Sequence, residues 1–164
     1  MSSEYKTILA EVFCDILMKY AFMFGDASPK DELPTNGSNY LRAKISFSGY
    51  RSGTLEISTS TELCAELAAN VLGIEPDDDN SMDNSSDALE EFINVVCGQF
   101  LTTAFGDAPV FDLSPPSVLE IGETEWKSIL SNEETIGFII EDAPAIMSVY
   151  VNQKTEADSG SDCG

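Results

Sequence analysis

Two long stretches of this chain carry apolar side chains at helical spacing, and the same four residues follow each of them. In the first, Ile8, Leu9, Val12, Phe13, Ile16, Leu17 and Tyr20 recur at three- and four-residue intervals, as on one face of a helix. In the second, Leu89, Phe92, Ile93, Val96 and Phe100 do the same. "FGDA" stands at Phe24–Ala27 and again at Phe105–Ala108, 81 residues later; in that register "DELP" (Asp31–Pro34) meets "DLSP" (Asp112–Pro115). Alternating, strand-like segments come after each. "YLRAKISFSG" and "SGTLEISTS" join through Gly49 and Gly53, while "TIGFIIED" and "AIMSVYVNQ" turn at Asp142–Pro144. The chain therefore reads as α+β, with two weakly similar helix–hairpin halves.

Local signals set the expected boundaries. Gly25 should stop the first helix, and residues 26–39 are rich in turn formers. A helix is expected over 60–73, with Thr59 and Glu62 as a capping box. After the acidic stretch Glu75–Asp87, the second long helix should begin at Asp87, with Glu90 completing another capping box, and run to about Phe105. A strand is expected near Ser117–Ile121. One domain then covers 1–153. Residues 154–164, "KTEADSGSDCG", lack apolar periodicity and read as a disordered acidic tail.

Charge and residue counts exclude whole classes of chemistry. The chain has 29 acidic and 8 basic residues, a formal net charge of −21, so nucleic acid, which needs a basic face, is not an expected partner. No apolar run approaches the ~20 residues that span a bilayer. Glu4, Glu11 and Asp15 interrupt the N-terminal apolar region, unlike a secretory signal. A cytoplasmic protein away from the membrane is expected. There is no histidine, which removes Ser-His-Asp and Cys-His catalysis and histidine-ligated metals. No phosphate-binding GxxxxGK[ST] or GxGxxG occurs. Cys14, Cys64 and Cys97 lie in apolar helical patterns with no CxxC pair, as buried free thiols do. Asp79–Glu90 spaces its oxygens like a calcium loop, but Asn84 replaces the glycine and Ser86 the usual apolar residue. A solvated acidic segment, without metal, is the expectation.

What remains is one helix face. On the second long helix, Asp87, Glu91, Asn94 and Gly98 fall together, opposite the apolar stripe. Asn and Gly together sacrifice roughly 1–1.5 kcal/mol of helix propensity relative to Ala. Glu91 and Asn94, three apart, are surface neighbours, and Gly98 leaves a bare spot where another surface can come close. In the register of the repeat, the first helix has Ala10 and Phe13 instead, so only one half carries this set.

The pattern Asp87-x3-Glu91-x2-Asn94, followed by Pro115–Pro116, resembles the signature of the CheC/CheX/FliY chemotaxis phosphatase family, [DS]-x3-E-x2-N-x22-P. Pro116 follows after 21 intervening residues. A single copy of the pattern resembles the CheX-like members. The resemblance implies long helices packed on an antiparallel sheet and a homodimer. It also implies a partner, a phosphorylated CheY-like response regulator that brings its own Mg²⁺, with no cofactor in this chain. Asn94 would orient the attacking water, Glu91 would pair with a regulator lysine, and Asp87 and Gly98 would belong to the docking face. The alternative is a noncatalytic module that binds a response regulator or the flagellar switch through the same face.

Overall fold

The computed structural model describes residues 3–33, 39–73 and 81–152. The expected tail, 154–164, and Cys163 lie outside them. Helix α1 (Ser3–Ala21) opens the chain, followed by a short strand β1 (Gly25–Ala27). Strands β2 (Tyr40–Gly49) and β3 (Gly53–Ser60) form the first hairpin, and α2 (Thr61–Leu72) follows. Helix α3 (Ser81–Phe105) leads into β4 (Phe111–Leu113) and β5 (Ser117–Ile121). Helix α4 (Glu123–Ser131) precedes the second hairpin, β6 (Ile136–Ile140) and β7 (Ala143–Val151).

The seven strands of the described residues form one antiparallel sheet in the order β1-β6-β7-β3-β2-β4, with β5 also on β2. This order is a palindrome. Exchanging helix–strand–hairpin α1-β1-β2-β3 with α3-β4-β6-β7 reverses it and leaves the five pairings along that order intact; β5 on β2 has no counterpart in the other half. The two halves are thus real, but the FGDA copies are not equivalent in them. Gly25–Ala27 is β1 itself, whereas Gly106 lies just past α3 at φ 85°.

The helical periodicity is core except at Tyr20, which is exposed at the end of α1. Leu9, Phe13 and Leu17 of α1 and Leu89, Phe92, Val96 and Phe100 of α3 are buried against Leu41, Ile45, Leu55, Ile57, Phe138 and Val149 of the sheet. Phe13 meets Phe138 edge-on with ring centroids 4.7 Å apart, and Phe92 at 5.7 Å, an arrangement that suits the ring quadrupoles. Cys64 and Cys97 are buried here and Cys14 half-buried, all as free thiols. Burial pushes the Cys64 and Cys97 thiols up to about 12, so they stay protonated and unreactive.

Several boundaries differ from the sequence expectation, each for a visible reason. α1 stops at Ala21, before Gly25, because Phe22 adopts φ 56° and the Met23 N–H reaches back to the Leu17 carbonyl at 3.2 Å, a Schellman-type stop. α2 is capped by Ser60, whose hydroxyl accepts from the Leu63 N–H. Thr59, expected as the cap, instead donates to the Pro144 carbonyl at 2.8 Å. The second hairpin turns at Glu141–Asp142, both at positive φ (48° and 72°), as a type I′ turn requires, and Pro144 lies inside β7. Among the described residues, β6 and β7 are interior strands, and β1, β4 and β5 form the margins. α4 is absent from the sequence reading. It lies on the other face of the sheet, where Trp126 is buried with Tyr40, Leu33, Ile121 and Ile146. No helix among the described residues is long and apolar enough to cross a membrane.

Candidate functional site

Helix α3 begins at Ser81, six residues before the expected start. Asp87 and Glu90 are therefore interior helical residues and cap nothing. Because Ser81 to Glu90 is helical, that stretch cannot wrap an ion as a calcium loop does, and no group of three or more metal-ligating side chains gathers among the described residues. The apolar stripe anchors α3 on the sheet, which turns Asp87, Glu91 and Asn94 outward and exposed.

The opposing wall comes from the sheet margin. β4 pairs with β2 through Leu113↔Phe47, and β5 through Ser117↔Lys44. Three residues, Ser114–Pro115–Pro116, therefore stand opposite two, Ile45 and Ser46. This is a β-bulge, and an edge bulge is where a strand tolerates proline, which has no N–H to offer the ladder. Ser114 holds its near end: its N–H donates to the Ser46 carbonyl, and its hydroxyl accepts from the Ser46 N–H, each at 2.9 Å.

Between helix and bulge lies an open cleft of about 390 Å³. Asp87, Glu90, Glu91 and Asn94 form one side, and Leu113, Ser114, Pro115 and Pro116 the other. Three of the four helix residues singled out from sequence thus meet there with both prolines. Gly98 lies one turn further along α3, outside the cleft, and a Cβ built on it would meet none of the described residues within 4 Å. Glu90 and Ser114 are the residues the sequence reading missed as cleft components. A Pro–Pro pair after a short strand signals a bulge, but not which side chain would pin it.

The chemistry available is narrow. The side chains of Asp87, Glu90, Glu91 and Asn94 make no hydrogen bond or ion pair among the described residues, so their donors and acceptors are open to a partner. Among the described residues, no cysteine and no cation lines the cleft. The set can hold a cationic group with carboxylates and orient a small polar molecule with an amide. It has no activated nucleophile of its own.

The profile of the family "Chemotaxis phosphatase CheX" matches residues 41–138, and the chain belongs to that family. No curated protein matches. Among solved structures, the chemotaxis protein CheX from Vibrio vulnificus superimposes with a TM-score of 0.68 at 17% identity, covering 91% of this chain and 97% of that one. A CheX–CheY–BeF3–Mg²⁺ complex from Borrelia burgdorferi gives 0.64 at 17% identity, covering 91% and 98%. FliY from Thermotoga maritima gives 0.55 at 14% identity, covering 91% and 90%. At these identities the likeness is one of fold.

Proposed function

We propose that this chain hydrolyses the aspartyl phosphate of a CheY-like response regulator, with Asn94 and Glu91 inserted into the regulator's site. The observation that carries this reading is the cleft. It holds an exposed amide and an exposed carboxylate one turn apart, neither engaged by another described residue, facing a wall of two prolines. Family membership supports it, as does the CheX–CheY complex among the structures of the same fold.

The reaction needs little from this protein. Water attacks phosphorus, a new P–O bond forms, the acyl P–O bond breaks and the regulator's carboxylate leaves. The water proton passes to a phosphate oxygen or to solvent. Asn94 accepts from the attacking water with Oδ1 or donates to it with Nδ2, fixing its line of approach; an amide is too weak a base to take the proton. Glu91 pairs with a lysine of the regulator and sets the register of docking. Positioning of this kind works by removing orientational freedom before the transition state. A hundredfold acceleration requires only about 2.7 kcal/mol off the barrier. Mg²⁺, when the regulator binds it, neutralises phosphoryl charge within the regulator.

The test is turnover. A CheY-like regulator phosphorylated with acetyl phosphate, in large excess over this protein, should lose its phosphate faster than alone and over many cycles. A stoichiometric effect only would assign the cleft to noncatalytic binding, and no effect on any regulator of the same cell would remove the reading.

A further inference from the structure

We propose that Ser114 is a positioning residue for the cleft, and that its hydroxyl sets the distance between the proline wall and Asn94. The inference rests on the docking role proposed above.

In an antiparallel ladder, a hydrogen-bonded residue pair exchanges two bonds, each N–H donating to the other's carbonyl. Ser46 and Ser114 continue the register of Phe47↔Leu113, and one of their two bonds is regular, from the Ser114 N–H to the Ser46 carbonyl. The other is substituted. The Ser46 N–H donates to the Ser114 side-chain hydroxyl, not to its carbonyl. The hydroxyl has taken the place of a strand carbonyl. That frees the Ser114 carbonyl from the ladder and lets the main chain leave the strand line at this residue.

The departure is what builds the wall. Pro115 and Pro116 have no N–H with which to return to the ladder, and pairing resumes only at Ser117↔Lys44. Along the bulge, the Ser114 hydroxyl is thus the group that satisfies the half-buried Ser46 amide while the prolines stay displaced. Without it, the Ser46 N–H has two outcomes. It recaptures the Ser114 carbonyl, which flattens the bulge and draws the prolines toward β2, or it opens to water, which loosens the same segment. Either way the wall facing Asn94 loses its fixed place.

The experiment compares Ser114→Ala with Ser114→Thr, which keeps the hydroxyl, in the full chain. A net hydrogen bond contributes about 0.5–1.5 kcal/mol, so Ser114→Ala should raise KM for the acetyl phosphate-charged regulator about two- to tenfold. Its kcat should stay within about twofold of wild type, since Asn94 still reaches the water once docked. Ser114→Thr should restore KM, and the Ser46 amide proton resonance should shift in Ser114→Ala and return in Ser114→Thr. A wild-type KM in a folded Ser114→Ala protein, or a loss confined to kcat, overturns the inference. An unmoved Ser46 resonance overturns it whatever the activity. If the wild type dephosphorylates no regulator, the phosphatase reading fails separately, and the Ser46 resonance still decides whether the clamp exists.

Discussion

The indole of Trp126 lies flat on the ring of Tyr40, with centroids 4.1 Å apart and planes within 7°. This stack fastens α4 to the sheet face away from the cleft, and the Trp126 side chain is fully buried. Its Nε1–H has no hydrogen-bond partner among the described residues. Trp126→Ala should therefore destabilise the chain by about 3–5 kcal/mol. Trp126→Phe should cost far less, roughly 1.5 kcal/mol or under, because it keeps an aromatic face and removes an unsatisfied donor. Urea unfolding followed by circular dichroism measures both. Equal losses for the two variants would show that stacking is not what holds α4.

Asn94→Ala should leave melting unchanged or slightly raised, since Ala is the better helix former and the position is exposed. Regulator dephosphorylation should fall by about a hundredfold, mostly in kcat, equivalent to about 2.7 kcal/mol. Glu91→Ala should weaken docking as well as turnover, and the double variant should lose less than the sum of the two. Phosphate decay and regulator affinity separate these effects. Full activity in folded Asn94→Ala would remove the water-positioning mechanism.

Gly98 permits a test that opposes stability to function. Its position is mid-helix and none of the described residues fills the space a methyl group would take. Gly98→Ala should stabilise α3 by about 0.8–1 kcal/mol. If a regulator surface comes close along this face, the same methyl should weaken binding several-fold. A more stable variant with unchanged affinity would place Gly98 outside the docking surface.

A homodimer is the expected assembly. Among the described residues β1 pairs on one side only, with β6, and it is preceded by Phe22 and Phe24, exposed at 74% and 70%, so that margin offers both backbone groups and apolar surface. Light scattering at micromolar concentration and moderate salt should give about twice the 17.7 kDa chain mass. A single-chain mass at every concentration tested would exclude the dimer.

The elements readable from sequence were those whose side chains repeat a period. The core faces of α1 and α3, both hairpins and β5 follow from spacing alone, and the same wheel that defines the apolar stripe of α3 isolates Glu91 and Asn94. Boundaries were less readable because several residues can do one job. Thr59 and Ser60 are both good caps, and only the Pro144 carbonyl beside Thr59 decides between them. Phe22 stops α1 in a backbone conformation that phenylalanine seldom adopts. Glu90 matched a capping pattern by chance of spacing, because the residues before it continue the helix. α4 was hidden by its composition. Only Trp126 is fully buried, Ile129 and Leu130 are half-buried, and the rest of its about two and a half turns is exposed and polar or charged. The proline wall needed the register on β2, which no local pattern encodes.

The bulge that shapes the cleft also protects a vulnerable margin. An edge strand invites strangers, because its outward amides can template another chain. Pro115 and Pro116 have no amide to offer on either side of the stretch between β4 and β5, so an incoming strand finds the ladder interrupted there. Replacing them with valine or threonine, residues that favour strands, would thus do more than soften a binding wall. It would convert this margin into a sticky seam, and the first symptom in the test tube would be precipitation.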